Sequence, residues 1–180
     1  MKTNTIIILL ITFYSVTILS QNSTINITSP TSLNVKAIDD FLVPVNGLQN
    51  NANQSAVALL NIQNVKNLIY NTQPSIYYFS GVEKIYGEKP KNLFTDLNSL
   101  SNLNNVISLK NNIEIIIIKL ENTNQLNSTI SLELFSSFKN LKYIYIISSF
   151  DTTAQAIANM IVGSNDQYSV FFNVEKGDTN

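Results

Sequence analysis

Two stretches, Ile113–Leu120 (IEIIIIKL) and Leu141–Ser148 (LKYIYIIS), decide how this chain is to be read. Both are short and rich in β-branched or aromatic residues, so each reads as a strand rather than a helix. Neither alternates cleanly between apolar and polar positions. A strand that is apolar along most of its length fits a parallel sheet covered on both faces. Ile130–Phe138, between them, reads as a short helix. Beyond them, Asp151–Val162 (DTTAQAIANMIV) reads as a helix, with Asp151 or Thr152 as N-cap and Gly163 just past its end. Tyr168–Val174 (YSVFFNV) is a further strand. The strand starts at Ile113, Leu141 and Tyr168 are almost evenly spaced. Strand–helix alternation at that spacing implies parallel strands joined by crossover connections.

Towards the N-terminus the signals are more mixed. Ser75–Phe79 (SIYYF) reads as a strand and Gly81–Lys91 as a loop. Leu93, Leu97, Leu100 and Leu103 recur at three- and four-residue steps, the spacing of an amphipathic helix. Ala52–Tyr70 carries a looser helical pattern, and Pro74 bars its continuation. Asn34–Ala37 fits a short edge strand, and Asn46-Gly47 is a turn signal. The fold class expected is α/β, a mostly parallel sheet built from repeated strand–helix units. A layered sheet covered at least partly on both sides is preferred, and a short solenoid is the alternative.

The stretch Phe138-Lys139-Asn140-Leu141-Lys142-Tyr143-Ile144-Tyr145-Ile146 resembles the strand-bearing segment of a leucine-rich repeat, with Leu141, Ile144 and Ile146 in the LxxLxL places. Ile113, Ile116 and Ile118 copy the spacing one unit earlier, so the resemblance covers residues 113–148. The asparagine that the family carries after the strand is replaced by Ser149 in one unit and Glu121 in the other. The last strand, with Val170, Phe172 and Val174, lacks the spacing. The resemblance implies a curved interaction surface and no reaction. In such a solenoid Ile115, Ile117, Tyr143, Tyr145 and Ile147 would face the open concave side, which would then be unusually apolar.

The N-terminus points to export. Lys2 provides a positive start and Ile6–Leu19 an apolar run, shorter than the roughly 20 residues a spanning helix needs. Residues 1–20 read as a cleavable signal peptide, residues 21–32 as a polar linker rich in Ser, Thr and Asn, and residues 33–180 as a single α/β domain. The expected location is secreted, periplasmic or cell-surface. Four Asn-x-Ser/Thr triplets, at Asn22, Asn26, Asn53 and Asn127, are formal glycan acceptors, although a chain so rich in these residues produces them by chance.

Composition narrows the chemistry. The chain has 180 residues, 44% of them hydrophobic and 13% charged, with a net charge of −1, which argues against bulk disorder and against a nucleic-acid partner. All 11 basic residues are lysines, so no guanidinium is present for bidentate grips. Cysteine and histidine are both absent, which removes thiol nucleophiles, zinc–thiolate sites and the commonest general base. No phosphate-cradling glycine loop or Ser–His pairing is present. Neither a cofactor nor a metal site is expected: Asp39-Asp40 reads as turn or cap residues rather than as cation ligands.

The residues singled out for binding are Tyr143 and Tyr145, on a strand, and Asp151 and Thr152, where a helix begins at a strand's carboxyl edge. Tyrosine offers an apolar body with a polar tip, suited to a protein or carbohydrate partner. The carboxyl edge is where ligands gather in open α/β sheets. Core packing and helix capping are the plain structural roles of the same residues. The reading favoured is an exported, non-catalytic binding or interaction domain. The alternatives are an exported hydrolase using Asp, Glu or Ser at the strand carboxyl edge, and an accessory protein reaching the membrane only through an uncleaved N-terminus.

Overall fold

The computed structural model describes residues 34–43, 52–163 and 167–177. The signal-peptide and linker readings, the Asn46-Gly47 turn and the triplets at Asn22 and Asn26 lie outside them, as does the side chain of Asn53. Among the described residues the apolar stretches form strands: β1 (Val35–Ala37), β2 (Ser75–Phe79), β3 (Val82–Tyr86), β4 (Asn92–Asp96), β5 (Ile115–Leu120), β6 (Ile130–Ser131), β7 (Tyr143–Ser148), β8 (Ile161–Val162) and β9 (Ser169–Val174). Seven of them make one sheet in the order β1-β9-β7-β5-β4-β2-β3, while β6 and β8 pair separately. Every pairing in the large sheet is parallel except β2 with β3. The fold is therefore mixed α/β, around a large and mostly parallel sheet.

Among the described residues four α-helices accompany the strands: α1 (Ile38–Leu42), α2 (Ala52–Tyr70), α3 (Leu103–Val106) and α4 (Ala154–Met160). From β4 through β5 and β7 to β9, chain order and spatial order agree, while β2 reaches β4 by way of the edge strand β3. Right-handed crossovers that always step the same way put all their connections on one face of the sheet. The core shows this. Leu103, Phe135, Phe138, Ile157 and Met160 from the connections share a buried cluster with Ile116, Ile118, Ile144 and Ile146 from the strands. The opposite face is left to elements that precede the series. There Val65 and Leu68 of α2 and Ile38 of α1 pack on Ile115, Ile117, Tyr143, Tyr145 and Phe171. The amide of Asn92 ties helix to sheet, with Nδ2 donating to the Leu68 carbonyl at 2.7 Å. The apolar runs follow from this: β5 and β7 are covered on both sides, so neither parity of residue is free to be polar.

Several elements depart from the sequence reading. The helix expected across Leu93–Leu103 is instead β4, a 3-10 turn at Leu97–Asn102 and one turn of α3. Asp96 makes the break: its carboxylate accepts from the Ser99 amide at 2.8 Å, so the helical chain starts there. The loop expected at Gly81–Lys91 contains β3. Ser80 and Gly81, with φ of 51° and 80°, form the two-residue turn that folds β3 back on β2. Ile130–Phe138 holds β6 and a 3-10 turn rather than an α-helix. The helix expected at Asp151–Val162 spans Ala154–Met160, because the N-cap is Thr153, whose hydroxyl accepts from the Ala156 amide at 3.2 Å. Ile161 and Val162 leave the helix to pair with Ile130 and Ser131. Helix α2 and strand β2 match the sequence reading residue for residue.

Candidate functional site

The four residues singled out from sequence fall in two places. Tyr143 and Tyr145 lie on the α2-covered face, each only 3% exposed. Both rings pack against Phe171, at centroid distances of 6.0 and 5.4 Å. The Tyr143 hydroxyl donates to Asn61 of α2 at 3.3 Å and accepts from Asn64 at 3.5 Å. Burial pushes the Tyr145 hydroxyl well above the usual phenol range, and nearby Glu175 adds to the effect. These rings thus serve as the floor on which α2 rests. Asp151 and Thr152 lie past the end of β7. Asp151 is exposed and paired with Lys176 at 2.7 Å. The Thr152 hydroxyl is buried without a hydrogen-bond partner among the described residues.

Three other acids at the carboxyl edge of the sheet, Asp96, Glu121 and Glu175, are each tied to a neighbour. Asp96 caps the turn after β4. Glu121 lies 3.6 Å from Lys119, and Glu175 accepts from the Asn173 amide at 3.2 Å. Asp39 and Asp40 occupy the first turn of α1, where carboxylates suit the helix dipole. Among the described residues there is no group of three or more His, Cys, Asp or Glu placed to hold a metal ion. Asn127 is exposed at the end of a 3-10 turn.

At the amino edge, Glu114 sits between Lys91 at 3.1 Å and Lys142 at 3.6 Å, with Asn64 Nδ2 donating at 3.5 Å. Burial pulls its carboxyl upward, but the two ammonium groups and the amide outweigh that and hold it below its ordinary value. These contacts join α2, β5 and the segments leading into β4 and β7, a structural role.

A concave surface lies elsewhere, at the β2–β3 end of the α2-covered face. In register across the sheet stand Phe171, Tyr145, Ile117, Phe94, Tyr77 and Lys84. Phe41 of α1 packs on Phe171 at 5.1 Å, and the cover that α1 and α2 provide fades along this row. Phe171, Tyr145 and Ile117 are buried and Phe94 is half-buried, but Tyr77 is 39% exposed and Lys84 is exposed. Tyr77 stacks on Phe94 at 4.7 Å and 8°. On its other flank Tyr86, 57% exposed, meets it edge-on at 5.5 Å and 88°. Around these rings is a pocket of about 670 Å³, within the size range of ligand sites. Its walls are Thr72 and Gln73 after α2, Ser75, Tyr77 and Phe79 of β2, and Val82, Lys84 and Tyr86 of β3.

A loop across Gly81–Lys91, the expectation from sequence, leaves this site without its second wall, which β3 provides. The signal was nonetheless there: Ser80-Gly81 separates SIYYF from VEKIY by two residues, the spacing of a tight hairpin. Once β3 is a strand, Val82, Lys84 and Tyr86 must share a face with Ser75, Tyr77 and Phe79. The pocket offers aromatic rings, hydroxyl and amide groups and one ammonium, an inventory for holding a partner. No protein-family model, no curated protein and no solved structure matches the chain.

Proposed function

We propose that this chain is an exported, non-catalytic binding domain whose recognition surface is the β2–β3 end of the sheet. The observation that carries the reading is the aromatic row that emerges from beneath α2. Tyr77 and Tyr86 are held by ring contacts at 4.7 and 5.5 Å, yet both stay substantially exposed beside the pocket. Large side chains that are already ordered and keep an open surface are what interface anchors are made of. The partner class is a protein or a carbohydrate. Tyr143 and Tyr145, buried under α2, support that surface from within, and Asp151–Thr152 lie apart from it.

Within the α/β class, a layered sheet is favoured over an open solenoid. Its support is the cover that α2 lays over the face a solenoid would leave concave and open. The resemblance to leucine-rich repeats rests on Ile113, Ile116 and Ile118 with Leu141, Ile144 and Ile146, all of which share one buried cluster. Export rests on the reading of residues 1–20. Among the described residues, no helix is long and apolar enough to cross a membrane.

Two measurements test this. Mass spectrometry of the mature protein should find a start near Gln21 and the chain outside the cytosol; an intact, cytosolic chain would refute export. Affinity capture from culture medium or envelope fractions should recover a partner with the native chain and lose it with the double variant Tyr77→Ala/Tyr86→Ala. Equal recovery by both would place recognition elsewhere.

A further inference from the structure

We infer that β3 is a docking edge for an extended polypeptide, which adds to the sheet as an antiparallel strand carrying an acidic residue followed by a basic one. This deepens the reading of the β2–β3 end as a binding surface and rests on it. The first ground is hydrogen bonding. The Lys91 amide donates to the Pro74 carbonyl at 2.8 Å, so the even-numbered residues of β2 turn their backbone towards β4. The odd-numbered ones therefore face β3, where they pair with Val82, Lys84 and Tyr86. Glu83 and Ile85 are left with N–H and C=O groups directed away from the sheet, and β3 has no strand on that side among the described residues. Such an edge is a template for strand addition.

The edge is also preformed. Ser80 and Gly81 close the turn before it, both at positive φ. After it, Gly87 takes φ of 80°, and a Cβ there would stand 3.0 Å from Pro74 Cβ. With both ends pinned, little backbone order remains to be imposed when a partner arrives.

Charge selects the partner. On the pocket face Lys84 makes no ion pair among the described residues, and on the other face Glu83 Oε1 is buried with no donor. A second copy of this chain answers neither. Antiparallel self-pairing over the whole of β3 would set Lys84 against Lys84, and sliding towards the turn would set Glu83 against Glu83. A different strand that places an acid opposite Lys84 and a base opposite Glu83 answers both. An aromatic residue opposite Tyr86 could then reach over the edge into the pocket.

The test uses a short, end-blocked, fluorescent peptide with the core Tyr-Val-Glu-Lys-Val and its charge-exchanged twin Tyr-Val-Lys-Glu-Val. The first should bind about tenfold more tightly than the second, the swing expected between favourable and like-charge cross-strand pairs. The amide signals of Glu83 and Ile85 should shift on binding. The double variant Glu83→Lys/Lys84→Glu should invert the preference, and N-methylation of the peptide amides that face β3 should abolish binding. Any of four results overturns the inference: no binding by either peptide, no charge preference, shifts that avoid β3, or a homodimer that pairs through β3. A glycan captured at Tyr77 and Tyr86 would do the same by putting the partner in another class. If the peptides fail while Tyr77→Ala/Tyr86→Ala still loses its captured partner, strand addition falls and the binding surface stands.

Discussion

Helix α2 offers a controlled experiment, because it carries two leucines with opposite environments. Leu68 is 2% exposed and packs on the sheet, whereas Leu60, on the same helix, is 70% exposed. Replacing either with alanine removes the same atoms and leaves helix propensity nearly unchanged. Leu68→Ala should cost about 2–5 kcal/mol, the transfer term plus the cavity it leaves in the buried cluster on the α2-covered face. For a domain of this size each kcal/mol moves the midpoint by about 2–4 °C, so the expected drop is roughly 4–20 °C. Leu60→Ala should stay within about 0.5 kcal/mol of the native chain. Thermal unfolding followed by far-ultraviolet circular dichroism and by tyrosine fluorescence gives both values in one experiment. Near-equal effects of the two substitutions would refute the docking of α2, and with it the burial of Tyr143 and Tyr145.

Three further outcomes follow from particular contacts. The carboxyl of Glu114 is held below its ordinary value of 4.5, so its contribution is full above that pH and is lost as pH falls through the depressed folded value. Glu114→Gln should therefore lower stability by about 1 kcal/mol near neutrality, a gap that closes in acid, as denaturant titrations across pH would report. Gly87→Ala should destabilise by about 1–2 kcal/mol, since alanine at φ of 80° is strained and its Cβ would meet Pro74; urea midpoints measure it. Absorbance titration should find the Tyr145 hydroxyl ionising later than an ordinary phenol. Burial raises the Tyr168 hydroxyl too, so Tyr145→Phe should shrink the late step without abolishing it, and an unchanged amplitude would mean that the Tyr145 ring is not buried as described.

The parts of the fold that were legible in the sequence share a cause. Strands β5, β7 and β9 are buried on both faces, so their own residues announce them, and their even spacing announces parallel crossovers. Helix α2 ends at Tyr70, within the limit that Pro74 sets. What was misread depended on single residues overriding a pattern. The leucine spacing from Leu93 suited a helix, but Leu93 packs from a strand and only Leu97 onward is helical, because Asp96 caps the turn. Val82–Tyr86 has few buried side chains and hence little strand signal; its structure comes from the turn at Ser80-Gly81. The candidate site was hidden for that reason. Tyr143 and Tyr145 drew attention as aromatics on a strand, yet whether a ring is covered depends on α2, an element far away in sequence. Tyr77, of the same residue type, stands at the end of the row that α2 leaves open.

The openness of β3 can be measured residue by residue through amide hydrogen exchange of the native chain. The amides of Lys84 and Tyr86, bonded to β2, should be protected, while those of Glu83 and Ile85 should exchange at rates close to those of unstructured peptide. Uniform protection along Val82–Tyr86 would mean that the edge is already paired, and the docking surface would not exist.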